Sequence, residues 1–463
     1  PQKPAESSRA LGAGLTFAVT VALFAFGGSW LDAKLSTGPW LVLLGALSFV
    51  SYLLRGNLSI AAPSMMADLR LSEIQWGWVM SAFPLGYALF QFPGGVWGSR
   101  IGPRKALALI AVAWGILIAI SSATPSPEVA STTLIIAFLV TTQFLVGMSH
   151  APIFPLVAAS IERWFPPGRW ALPNGLTSSA LTIGLALTAS LLPWLMGAFG
   201  WRVSFLLLAP CGFAVAALWW WYARDQPAQH AAVNGAELAL VCNGRDAGDA
   251  HGPSTSSASA RPAWRRVLAD RDVLLVTLSY SCMNFVFYVL FSWGFYYLVT
   301  VRGFSEQIAG FLTAAQWLFA GLGAALGGWA CDRLCKQLGL RWGCRWPIIV
   351  GLLASGALML GVAFNPDARV AALMLGLCFF FNQCTEGPYW ATASAIGGRH
   401  AGATTVLLNT GANLMCVINA LLLAVVADGF GWPVAITLGA VFALAGAVLI
   451  LFVRSDRKMD QSD

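Results

Sequence analysis

Three ionisable side chains stand well inside long apolar runs: Arg55, His150 and Glu386. A charge at the centre of a bilayer costs about 3 kcal/mol on insertion scales, so such residues are read first as functional. Arg55 is always charged, and its guanidinium forks onto a carboxylate, which suits capture of an anion in a wet cavity. Its alternative is a structural ion pair or a snorkelling end residue. Glu386 lies in Thr385-Glu386-Gly387-Pro388-Tyr389-Trp390, where Gly and Pro interrupt a helix and free its carbonyls. A carboxylate there could exchange protons, pair with Arg55 while the site is empty, or simply be satisfied in packing. His150, in Gly147-Met148-Ser149-His150-Ala151-Pro152, could relay a proton near neutrality or be a hydrogen-bonded packing residue.

Polar side chains at helical spacing suggest what else such a cavity offers. Tyr280, Asn284 and Tyr288 share one helix face, as do Tyr87 with Gln91 and Asn409 with Asn413. They could bond the hydroxyls of a polar substrate or serve as glue between helices. Enzymatic chemistry is not written here: there is no P-loop, no G-x-S-x-G elbow, no H-E-x-x-H and no dinucleotide fingerprint, so no catalytic residues are assigned. The nine cysteines lack metal-ligand spacing. Cys282, Cys378, Cys384 and Cys416 lie in apolar helices, while Cys331, Cys335 and Cys344 flank a predicted cytoplasmic loop, where thiols stay reduced. No metal, disulfide or cofactor is expected.

The elements that must hold these residues are membrane helices. Of 463 residues 58% are hydrophobic and 10% charged, whereas a soluble domain carries roughly 25% charge. Apolar segments fall near 38–62, 75–97, 105–123, 132–158, 173–197 and 201–222, then near 273–299, 307–331, 346–364, 369–393, 402–427 and 432–453. They are continuous rather than alternating, which excludes a β-barrel. The expected fold is an all-α membrane protein of twelve transmembrane helices in two six-helix pseudo-repeats. Its parts are an N-terminal bundle over 38–223, a polar cytoplasmic linker over 224–268, a C-terminal bundle over 269–454 and a cytoplasmic tail over 455–463. A binding site is expected between the halves near mid-membrane. Helices 1, 4, 7 and 10 are its natural lining, and Arg55, His150 and Glu386 all fall in that set.

Charge gives the orientation. The net charge is +7, and 19 of the 27 Lys and Arg residues fall in one alternate set of loops together with the C-terminal tail. Only Arg70, Arg202, Arg302 and Arg369 fall in the other. The rich set should face the cytoplasm, so the basicity needs no nucleic acid to explain it. Two of those loops echo each other: Gly95-x-x-x-Ser99-Arg100-x-Gly102-x-Arg104-Lys105 and Gly328-x-x-x-Asp332-Arg333. A Gly followed by an acid–Arg pair at a tight turn would let helices approach and pin their ends; ordinary loop punctuation is the plainer reading. Residues 1–37 form an extension containing one further apolar stretch, Leu11–Leu31, long enough for an additional helix. A thirteenth span would put Lys3 and Arg9 outside, so an interfacial or signal-like segment is the alternative. The run with Trp30-Leu31-Asp32-Ala33-Lys34-Leu35 and Gly38-Pro39-Trp40 resembles the small membrane protein that accompanies ATP synthase operons.

From about residue 40 to 454 the chain resembles the anion:cation symporter branch of the major facilitator superfamily, which includes bacterial sugar-acid transporters and sialin. The matching stretches are Tyr52-x-x-Arg55-x-Asn57-Leu58-Ser59, Gly86-Tyr87-Ala88-Leu89-Phe90-Gln91-Phe92-Pro93-Gly94-Gly95 and Ile153-Phe154-Pro155. Arg163-Trp164-Phe165-Pro166-Pro167, Gly200-Trp201-Arg202 and Arg224-Asp225-x-Pro227-x-x-His230 add to them. The resemblance implies that Arg55, with Tyr52 in the same motif, binds a substrate carboxylate, and that transport is driven by protons or sodium. It also shows departures. Leu54 stands where an Asp is usual, His150 where many members carry Glu, and Ser99 where the first loop has its acid. Either Glu386 or His150 then couples protons, or the protein is an uncoupled facilitator or exchanger. The expected partners are a small organic anion, protons and the lipid bilayer of a bacterial inner membrane, with the chain monomeric and its C-terminus cytoplasmic. A substrate sensor would usually add a longer cytoplasmic tail or a signalling domain. A drug exporter would show a Gly/Pro-rich fifth helix, and an organophosphate antiporter a second deep cation.

Overall fold

A computed structural model of the chain describes residues 40–165, 171–230, 233 and 264–456. The apolar stretch at 11–31 and most of the linker lie outside the described residues. Among the described residues, nine helices are long and apolar enough to cross a membrane. Two of these are each a pair of spans, broken where Gly200 (φ 76°) and Gly339 (φ 76°) leave helical geometry. A tenth helix, Glu73–Ile101, is as long but more polar, so the spans number twelve. They are α1 Trp40–Leu69, α2 Glu73–Ile101, α3 Pro103–Ser122, α4 Thr132–Trp164, α5 and α6 (171–199 and 201–222), α7 Arg271–Val301, α8 and α9 (306–338 and 340–364), α10 Ala368–Gly397, α11 Ala401–Phe430 and α12 Trp432–Leu451.

One boundary differs from the expectation. Residues 332–345, read as a loop because they are charged, are helical on both sides of Gly339. Charge at the end of a span marks where the helix leaves hydrocarbon, and the backbone stays helical past that point.

Among the described residues three spans are interrupted and a fourth is widened, and they are the four expected to line a cavity. α1 breaks at Gly56 between Trp40–Arg55 and Asn57–Leu69. α4 breaks between Thr132–His150 and Ile153–Trp164, and α10 between Ala368–Gln383 and Glu386–Gly397. α7 stays continuous but widens into π-turns at Val289–Trp293 and Tyr297–Val301. Breaks and π-turns release backbone groups and re-aim side chains, which is why they gather at functional positions in membrane helices.

The described residues group into two compact units. Among the described residues, the first comprises 40–61, Phe92–Ala123 and 149–230 apart from 166–170. Its core stacks Trp40 on Trp164, centroids 3.7 Å apart, with Trp219 edge-on, and Thr188 of α5 donates to the Leu53 carbonyl of α1 at 3.0 Å. The second comprises Ala62–Gln91, Thr124–Met148 and the described residues 264–456. There Asn382 and Asn419 donate to the Met283 and Phe285 carbonyls at 3.2 and 3.1 Å, bracing α7 just before it widens.

Candidate functional site

In the first unit, Arg55 ends the first half of α1, immediately before the break at Gly56. It is half-buried. Its Nη1 donates to the Tyr52 hydroxyl at 3.0 Å, and its guanidinium carbon lies 5.0 Å from the centre of the Tyr52 ring. Tyr52 in turn meets Phe154 edge-to-face at 6.3 Å. Phe154 lines an open pocket of about 350 Å³ with Ser48, Ile153, Val157, Asn174, Thr177, Ser178 and Leu181. Ser48, Tyr52 and Arg55 follow one another on a single face of α1. This cation is thus braced by a phenol near a mainly apolar pocket whose lining includes four polar side chains.

His150 belongs to the same unit and is buried, 2% exposed. Its Nε2 lies 3.1 Å from the Ser51 carbonyl oxygen and its ring stacks on Trp114 at 4.7 Å. A carbonyl only accepts, so Nε2 carries the proton in this contact. The ring joins α4 to α1 and α3 as a hydrogen-bonded packing group.

In the second unit, Glu386 opens the second half of α10, where the helix dipole favours a carboxylate. Its Oε1 accepts from the Tyr280 hydroxyl and from Trp390 Nε1, both at 2.8 Å. Tyr280 also packs edge-on against Tyr389 and Trp390. Asn284, on the predicted face with Tyr280, turns its amide back to the Tyr280 carbonyl at 3.0 Å. Tyr288 is placed elsewhere, buried against Phe287 and Phe291 at the start of the π-turn. On α11 the Asn413 amide donates to the Asn409 carbonyl at 2.8 Å. On α2, Tyr87 is buried and stacked on Phe83, and the buried Gln91 leaves its Oε1 without a partner among the described residues. His150-Ala151-Pro152 and Glu386-Gly387-Pro388 match in spacing, each at the break of its span. The two halves therefore put an ionisable residue at corresponding places, and only the second is an acid.

The echoed turns differ in their physics. In the first, Gly102 has φ 89°, and any Cβ there would fall 2.7 Å from the Asp225 carboxylate. Asp225 uses that space to accept from the Arg104 backbone N–H at 2.9 Å, capping α3. The Arg104 side chain donates to the Trp220 carbonyl at 2.8 Å and stacks over the indole. The acid missing at Ser99 is thus supplied at the turn from Asp225; the Ser99 hydroxyl bonds back to Val96. Arg100 is exposed. Close helix approach falls to Gly94 and Gly98 against Pro152 and Leu156 rather than to Gly95. In the second turn Gly328 has open space beside it, and Gly327 touches the Cys384 carbonyl at the break of α10. Asp332 is exposed, and Arg333 lies over the Trp329 ring at 5.8 Å.

Sequence reasoning missed one set. Leu71-Ser72-Glu73 and Phe304-Ser305-Glu306 begin α2 and α8 with the same Ser–Glu pair. The serines cap their helices: Ser72 exchanges bonds with Gln75, and Ser305 accepts from Ile308 N. Both glutamates make cross-helix bonds within the second unit. Glu73 accepts from Tyr296 of α7 at 2.9 Å and from Trp432 of α12 at 3.1 Å, while Glu306 accepts from Ser64 of α1 at 2.6 Å. The pairs α1–α8 and α7–α2 correspond under the six-helix repeat. The repeated Ser–Glu was the available signal, hidden by its plain meaning as a helix start.

The model of the family described as Major Facilitator Superfamily matches residues 44–403. A second, described as Putative F0F1-ATPase subunit Ca2+/Mg2+ transporter, matches residues 8–48, almost wholly outside the described residues. Over 417 residues the chain is 29% identical to the probable sulfoacetate transporter SauU of Cupriavidus necator, covering 90% of this chain and 93% of that protein. It is 28% identical to the hexuronate transporter of Bacillus subtilis, covering 89% and 92%. Among solved structures, a bacterial homolog of the human lysosomal transporter Spinster superposes with a TM-score of 0.72 at 18% identity, covering 89% of this chain and 96% of that one. A D-xylose-proton symporter superposes with a TM-score of 0.67 at 15% identity, covering 89% and 96%.

Proposed function

This chain belongs to the major facilitator superfamily, and from that premise we propose that it is a secondary transporter of a small organic anion, a carboxylate of sugar-acid type, working by alternating access. The observation that carries the proposal is Arg55: a guanidinium at a helix break inside a span, held by Tyr52 close to a mainly apolar pocket that also carries Ser48, Asn174, Thr177 and Ser178. A fixed cation in hydrocarbon is retained when an anion uses it, and its fork suits a carboxylate while the pocket hydroxyls suit a polyol. The relatives support the class, since sulfoacetate and hexuronate are both small, oxygen-rich anions.

Coupling is to protons through Glu386. This carboxylate opens a half-helix and accepts from a phenol and an indole, and either donor can remain with the neutral acid. His150, tied to a backbone carbonyl and an indole, serves packing. The protein works as a monomer in a bacterial inner membrane, its six-helix bundles joined by the 224–268 linker. The Arg-rich turns and the C-terminus face the cytoplasm.

The test is uptake of labelled sugar acids and simple carboxylates into proteoliposomes, with and without an inward proton gradient. Accumulation above equilibrium only with the gradient is the expected result. Equilibration unaffected by the gradient would remove the coupling claim, and no uptake of any acid in the panel would remove the substrate class.

A further inference from the structure

The turn joining α8 to α9 gathers three thiols that the transport reading does not use. Cys331 and Cys335 stand four residues apart on one face of α8, and Cys344 opens onto them from α9 across the turn at Gly339. The sulfurs are 3.6, 3.7 and 3.9 Å apart. Gly343 makes this possible: a Cβ there would lie 2.6 Å from the Cys335 sulfur and would also strike its backbone. An ion held tetrahedrally by thiolates at about 2.3 Å spaces its sulfurs about 3.8 Å apart. The triangle already has that size on every side, whereas a disulfide needs about 2.05 Å for one pair and leaves the third thiol over.

We propose that Cys331, Cys335 and Cys344 form a three-thiolate site for a soft, zinc-class cation, its fourth position open to water. Cys331 and Cys344 are buried and Cys335 is half-exposed, which gives the ion a way in. Three thiolates and a dication carry a net negative charge. Residues 331–345 supply Arg333, Lys336, Arg341 and Arg345 against the single acid Asp332. Bound metal would pin α8 to α9 at the turn.

The test uses the full chain in detergent, reduced and freed of metal, titrated with Cd2+ while the sulfur-to-cadmium charge-transfer band is followed. One equivalent per chain is expected, and Cd2+ should displace Zn2+ loaded beforehand. Cys331→Ser, Cys335→Ser and Cys344→Ser should each lose the stoichiometric band, and Cys211→Ala should keep it. Independently of any variant, Zn2+ but not Mg2+ should protect these three thiols of the unaltered protein from maleimide, read peptide by peptide by mass spectrometry. A band that survives Cys344→Ser, protection absent with Zn2+, or a disulfide between two of the three under air would overturn the proposal.

Discussion

At the scale of single residues the account rests on Arg55 and Glu386. Both were legible in the sequence, because an ionisable group in an apolar run stands out against everything around it. Their immediate partners were only half legible. Tyr280 announced itself by its helix face, but Trp390, which shares the Glu386 oxygen, looks like any membrane tryptophan. Ser48, Asn174, Thr177 and Ser178 become pocket residues only once α1, α4 and α5 are packed together. Arg55→Lys keeps the charge and loses the fork, and hydrogen bonds to charged groups are worth about 1.5–3 kcal/mol. Initial uptake should therefore fall roughly tenfold or more, and Arg55→Ala should give none. Glu386→Gln should separate coupling from movement: substrate exchange down its own gradient continues, while accumulation driven by a proton gradient is lost. Counterflow and gradient-driven uptake on the same preparation check this, and normal accumulation by the variant would return coupling to another group.

At the scale of elements, the twelve spans could be read from hydropathy, and the break in α10 from Gly387-Pro388. The break at Gly56 could not be read, since one glycine in a helical run says little, nor could the helical arms at 332–345, whose charges imitate a loop. The first turn is held by a long-range cap. Asp225, 121 residues from Arg104, accepts from the Arg104 N–H, the first that α3 has after Pro103. Asp225→Ala should cost about 1–2 kcal/mol, the usual value of an N-cap, seen as a lower unfolding temperature in detergent with substrate affinity unchanged. Gly102→Ala should cost as much or more, since it meets both a positive φ and the Asp225 carboxylate.

At the scale of the whole molecule, legibility ends where contacts span the chain. Ser64 and Glu306 are 242 residues apart, Glu73 and Tyr296 223, and Glu73 and Trp432 359. No local pattern encodes which partner a helix-starting glutamate will meet. Glu73→Ala with Tyr296→Phe removes both bonds to Glu73 and should lower the unfolding temperature in detergent, and an unchanged temperature would show that these bonds add nothing to stability. One comparison in proteoliposomes decides whether Arg55 carries a small organic anion. Labelled sugar acids and simple carboxylates are offered to the unaltered protein and to Arg55→Lys under an inward proton gradient. Concentrative uptake of at least one acid by the unaltered protein is expected, with initial uptake roughly tenfold or more lower in Arg55→Lys and both proteins equally folded. Equal uptake by the two would contradict it.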